Sequence, residues 1–239
     1  MKPIVVAFVL SLVGVGRALA ADLPLPAPLP PASYYPAARP VNWGGVYIGI
    51  NAGYGFGGSD WTNAGVSTGN FNTNGALVGG TLGINYASSG GFLFGGEADF
   101  DWSGLSGSSS IAACAGLGVP AGVACQTKSD WLSTTRVRAG YTFEHFLVFA
   151  TGGWAIGQIQ VGVNPPGNFF SPTPQFGWTV GGGVEYAFTD FLTAKIEYLY
   201  VNLGTDSCPS GTTCGVVTAT SVSLAENIVR AGVNYKFSW

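Results

Sequence analysis

Stretch after stretch of this chain alternates with a period of two. In the closing segment, NIVRAGVNYKFSW, Val229, Ala231, Val233, Tyr235, Phe237 and Trp239 share one parity, while Arg230, Gly232, Asn234, Lys236 and Ser238 share the other. A period of two is that of a β-strand, whose successive side chains point to opposite faces. VYIGINAGYGF, ALVGGTLGINY, FLFGGEADFDW, WLSTTRVRAGYTF, FGWTVGGGVEYAF and FLTAKIEYLYV repeat the pattern. HFLVFATGGWAIG is strand-like too, but both of its faces are mostly apolar and the sequence leaves them unassigned.

The distribution of charge decides what these faces meet. Only 9% of residues are charged and 47% are hydrophobic, whereas a soluble domain carries roughly 25% charged residues. Such a chain cannot coat an ordinary aqueous surface, and it is too rich in apolar and aromatic residues to be disordered. Beyond the N-terminus no run approaches the ~18 to 20 apolar residues that a spanning helix needs. Spanning strands must close into a barrel, because lipid pairs no backbone groups. The charges fall on the glycine-rich parity: Glu97, Asp99, Asp101, Arg136, Arg138, Glu185, Lys195, Glu197, Arg230 and Lys236. A water-soluble barrel would carry them outside. Here the aromatic face meets lipid and the charged face lines the lumen.

The connections support this. Links around 87–90, 144 and 189–190 are short; those at 57–73, 103–128, 158–174 and 203–225 are long and rich in Gly, Ser, Thr and Pro. The expected fold is an all-β, eight-stranded antiparallel up-and-down transmembrane barrel with short periplasmic turns and long extracellular loops. Eight strands enclose a space that side chains fill. The ten charges are therefore expected to pair into a plug, with Glu97, Asp99 and Asp101 beside Arg136 and Arg138, Glu185 meeting Lys195, and Arg230 and Lys236 entering from the last strand.

The start of the chain indicates export. Lys2, the apolar run 4–16 and Ala18-Leu19-Ala20 form a signal peptide over residues 1–20. Residues 21–42 hold seven of the fourteen prolines and read as an extended periplasmic tail, with the barrel over 43–239. Taking Lys2 and Arg17 from nine basic residues leaves seven against twelve acidic ones, a balance near −5. That excludes nucleic acid as a partner.

Four cysteines in an exported chain favour disulfides over metal. Cys114 and Cys125 share one long loop, Cys208 and Cys214 another. Of the three possible connectivities, two local bridges are expected, each tying its own loop and contributing little to the barrel.

Several motifs carry a resemblance: ALAADLP at the cleavage site, WGGVYIGINAGYGFGG, WLSTTRVRAGY, TGGWAIG, GWTVGGGVEYAF, KIEYLYVNLG and the terminal NIVRAGVNYKFSW. In these the chain resembles the outer-membrane immunogenic, porin-family group of small barrels, relatives of the OmpA transmembrane domain. The resemblance spans nearly all of 43–239. It implies an outer-membrane barrel without enzymatic activity; some relatives are surface antigens and some are linked to haemin binding. The terminal aromatics Tyr235, Phe237 and Trp239 match the signal read by barrel-assembly machinery. The two loop cysteine pairs depart from many members, so loop-borne function transfers least safely.

Other chemistry is weaker. GYGFGG over 53–58 fits G-x-G-x-x-G, but with 38 glycines such a match is expected by chance and no helix follows. His145 sits in a short, periplasm-side turn, whereas barrel enzymes that pair a histidine base with a nucleophile and an acid work at the outer leaflet. Glu97 and Asp99 are two apart on one face, yet nearby Arg136 and Arg138 favour charge compensation over calcium or acid–base work. No cofactor is expected. Three roles stand: a monomeric envelope protein displaying surface loops, a narrow conduit, or a loop-borne binder of haemin or a host component. The first is favoured.

Overall fold

The computed structural model describes residues 41–63, 65–117, 121–170, 174–206 and 221–237. The signal segment, residues 21–40 of the tail, Cys208, Cys214 and Trp239 lie outside the described residues.

Eight long strands are present: β1 (Gly45–Asn63), β2 (Phe71–Ala87), β3 (Phe92–Ser108), β4 (Ala124–Phe143), β5 (Phe146–Asn164), β6 (Gln175–Ala187), β7 (Leu192–Asp206) and β8 (Ser221–Phe237). Each pairs antiparallel with its neighbours in sequence order. The ring closes between β8 and β1, whose register runs from Val46 opposite Phe237 to Thr62 opposite Ser221. None of the eight long strands is left as an edge, as a bilayer demands. A two-residue strand, Val66–Ser67, folds back antiparallel on the end of β1, and Asn168–Phe170 pairs with β5. A single-turn helix, α1 (Ile111–Ala115), is capped by the Ser110 hydroxyl, which accepts from the Ala113 N–H.

The parity assigned from sequence holds through the membrane-spanning part of the barrel. Ile48, Ile50, Val78, Leu82, Phe94, Val137, Ile196 and Val233 face outward and exposed, whereas the charged set faces inward and is buried. The ambiguous strand β5 also resolves: Leu147, Phe149, Thr151 and Ala155 point inward, and Val148 and Trp154 outward. Phe149 faces inward by the strand's alternation, and there the Arg138 guanidinium lies 4.2 Å over its ring, a cation–π contact that an aliphatic side chain could not make.

The long connections are shorter than expected. β4 has 20 residues and β5 19, against the ~9 to 11 that span a bilayer, so much of the sequence taken as loop is strand rising above the lipid. There the pattern inverts. Trp61, Ile159, Val161, Val163, Leu203, Val222 and Leu224 point into the barrel and form a buried apolar cluster with Leu117. Once the outer face meets water, burial favours the inner one, and the aromatic-outward rule ends. One-residue register shifts occur at this level, between Trp102 and Leu105 on β3 opposite Trp131 and Ser129 on β4, and between Ser129 and Leu132 on β4 opposite Ile159 and Gly157 on β5.

Candidate functional site: the barrel lumen

The lumen is layered, and its middle layer holds the charges. On β4, Arg136 reaches three carboxylates: Glu97 Oε1 at 2.5 Å, Asp99 Oδ2 at 2.5 Å and, across the barrel, Glu197 Oε2 at 3.0 Å. From β8, Arg230 reaches Glu197 at 2.7 Å, Asp101 at 2.8 Å and Asp99 at 2.9 Å. Lys195 on β7 lies 2.7 Å from Glu97 and 3.2 Å from Glu197. Arg138 donates to Glu185 Oε2 at 2.7 Å. Neighbouring strands bring opposite charges onto one face, and the narrow bore lets strands that are not neighbours share them as well.

The pairing differs in part from the expected one. Glu185 and Lys195 are register partners on β6 and β7, yet the ammonium turns to Glu97 and Glu197, while Glu185 takes Arg138. Lys236 faces inward and is buried, but among the described residues its Nζ has no hydrogen-bond partner, and it lies 5.8 Å from the Trp43 ring centroid. It sits at the periplasmic mouth, out of reach of the carboxylates higher up.

Neutral groups complete the layer, and the sequence reading had passed over them. The Tyr47 hydroxyl donates to Glu97 Oε2 at 2.7 Å and accepts from Arg138 at 2.8 Å. Thr81 donates to Asp99 and Thr193 to Glu185; Asn234 donates to Glu185 at 3.1 Å. All four lie on the lumen parity, which is the signal that would have found them. Glycine makes room for the large members: a Cβ on Gly83 would stand 2.1 Å from the Tyr47 ring, and one on Gly79 would stand 2.1 Å from Asp101 Oδ1.

Apolar layers lie on both sides. Toward the periplasm, Trp43 packs with Leu93, Leu147, Phe149 and Ala187, and its indole N–H donates to the Glu144 carbonyl at 3.4 Å. Toward the outside lies the cluster around Trp61, which includes the Cys114–Cys125 disulfide. Both sulfurs' residues are fully buried. This bridge is part of a core and not a tie on a free loop, because it fastens α1 to β4 where the strands have carried that core above the membrane. Glu226 on β8 is the exception in this region. Its flanking lumen residues are Leu224 and Ile228, it is buried, and its Oε1 has no hydrogen-bond partner. It shares the parity of Arg230 and extends the last strand's pattern upward, one residue beyond the Asn227 at which the sequence pattern begins that strand.

His145 occupies the tight turn between β4 and β5, its Nδ1 2.9 Å from the Ala187 carbonyl. Among the described residues there is no group of three metal-ligating side chains. Tyr235 and Phe237 face outward and are half-exposed.

The profile of the outer membrane protein beta-barrel domain family matches residues 29–237. The chain belongs to this family. It is 34% identical to the 31 kDa outer-membrane immunogenic protein of Brucella melitensis, over 99% of this chain and the whole of that one. The 25 kDa outer-membrane immunogenic protein of Brucella abortus is 28% identical over 90% of this chain and 85% of its own. Among solved structures, the Neisserial surface protein NspA aligns over 80% of this chain and 97% of that one, with 13% identity and a TM-score of 0.46. The family member described here is thus an outer-membrane barrel, with its apolar belt in lipid and its charges enclosed.

Proposed function

We infer that this barrel is a non-conducting, non-enzymatic envelope protein whose role is to anchor and display its extracellular surface. One observation carries the reading: the bore is filled across its width by a paired charge layer held between two apolar layers. The cross-barrel contact from Arg136 to Glu197 and those from Arg230 to Asp99 and Asp101 join opposite walls of the bore, which supports a closed lumen. Curated relatives named as immunogenic outer-membrane proteins support the role of a displayed surface. The chain would act as a monomer, inserted by the barrel-assembly machinery through its outward-facing terminal aromatics.

The test is single-channel recording in a planar bilayer with the folded, full-length mature chain. No steady current is expected at either polarity. Sustained conductance in the range of an open porin would replace this reading with that of a conduit.

A further inference from the structure

Glu226 is a titratable side chain that the charge layer does not use. It is 1% exposed, and its Oε1 has no hydrogen-bond partner. Register places it between Gly57 on β1 and Val201 on β7. Gly57 offers no side chain, and beyond it on β2 stands Thr73, buried, whose hydroxyl is also without a partner. Below Glu226 come Ile228 and its register partner Leu199, both buried. The next lumen pair down is Arg230 and Glu197, already joined at 2.7 Å. Leu77 and Leu105 fill the space over Gly55, where a Cβ would stand within 3.2 Å of their methyl groups. The carboxyl is thus walled off from the charges beneath it.

The other walls are no better matched to an anion. One lumen position higher, Ser59 and Thr127 hydrogen-bond each other at 2.9 Å, and the Trp61 indole donates to Thr127 at 2.8 Å. No side chain facing Glu226 at this level from β1, β2 or β7 is charged, and on the far wall Leu105, Thr127 and Val161 point inward. The outer face at this height has left the aliphatic belt: Asn72 and Asn74 on β2 are exposed, and Asn227 accepts from the Tyr198 hydroxyl at 2.5 Å. A carboxyl in apolar surroundings keeps its proton unless an opposite charge or several donors meet the anion. Glu226 has neither, and burial pushes its carboxyl up to about 7. The neutral acid fits the cluster. The anion does not, and it gains water only if the packing around it yields.

We propose that Glu226 is a proton-operated latch of the extracellular layer. Protonated, it packs among Leu224, Ile228 and Val201 and the layer is tight; ionised, it loosens the upper ends of β1 and β8 from within. The closed layer holds the proton up to about pH 7, whereas an opened, hydrated carboxyl holds it only to about 4.5. Closure is therefore fully favoured below about 4.5, weakens as pH rises, and is weakest above about 7.

The experiment measures backbone amide exchange of the folded full-length mature chain in zwitterionic vesicles, from about pH 4 to about pH 9, corrected for the intrinsic rate at each pH. Protection in the upper parts of β1 and β8 is expected to fall by up to about tenfold per pH unit between about 4.5 and about 7, then to level off. E226Q cannot ionise and should flatten that profile. Amides around Arg230 and Val233, in the membrane-spanning part, should keep their protection throughout. The proposal is overturned if wild-type protection is level across the range, if E226Q retains the wild-type profile, or if the membrane-level amides change in parallel. Folding is checked by heat-modifiable mobility. Should E226Q fail to fold, E226M supplies another side chain that cannot ionise, and the wild-type profile with its membrane-level control decides by itself.

Discussion

Glu97 and Arg136 are register partners on β3 and β4, and the carboxylate of one meets the guanidinium of the other in a fully buried ion pair. Neither is satisfied by the other alone. Glu97 also takes Lys195 and Tyr47, and Arg136 also takes Asp99 and Glu197. The layer is therefore a network in which each side chain answers for several, and removal of one strands the rest.

R136M should destabilise the barrel by about 3–5 kcal/mol, the usual cost of leaving buried charge without its partner. The measurement is urea unfolding in lipid vesicles. The double variant R136M/E97M should recover part of the loss, since it removes one of the carboxylates left unpaired. If the two single losses simply add, the contacts are not energetically coupled.

Glu226 should behave in the opposite way. Its carboxyl is buried between Leu224 and Ile228 with an unpartnered oxygen, so it contributes desolvation cost without a compensating ion pair. E226M, of similar length and apolar, should leave stability unchanged or raise it by about 1 kcal/mol or more. A loss comparable to that of R136M would mean that Glu226 has a partner not visible among the described residues.

The disulfide closes a short loop, Cys114 to Cys125, within the cluster around Trp61 and Leu117. On chain-entropy grounds a loop of this size is worth roughly 2–3 kcal/mol, and its burial adds packing. C114A/C125A should therefore loosen the extracellular layer specifically. Amide exchange should quicken in the upper parts of β3 and β4, with the membrane-spanning parts unchanged. Equal protection throughout would return the bridge to the status of a loop ornament.

How far the sequence carried this follows from which solvent each face meets. Within the membrane the rule is simple, and Ile48, Val233, Arg136 and Glu197 could all be placed from parity. Above the lipid the outside becomes aqueous, and Val161 or Leu224 turns inward while the flanking glycines and serines mimic loop sequence. The strands there were hidden for that reason. Charge pairing was legible only as far as adjacent strands. Arg136 with Glu197 and Arg230 with Asp99 cross the bore, and nothing in a linear sequence reports bore width or the reach of a side chain across it. Tyr47 was overlooked because a phenol among charges looks neutral, although its position on the lumen face was plain.

The last prediction separates the seal from its parts. Trp43 closes the periplasmic mouth against Leu93 and Leu147, the charge layer fills the middle, and the cluster around Trp61 fills the top. The two outer layers exclude water by apolar packing and the middle one by paired charge, so they should act redundantly. W43A deletes a large buried side chain and should cost about 3–5 kcal/mol, yet it should leave the bilayer current at zero because Arg138 and Glu185 still bridge behind it. R138A should likewise destabilise without conducting, since the apolar layer above remains intact. Current should appear only when the middle and top layers are both breached, as in R136A combined with L203A and L224A, and it should prefer cations because Asp99, Asp101 and Glu197 would then outnumber their partners. Steady conductance from W43A alone would show that the charge layer does not seal, and the inference of a closed bore would fall with it.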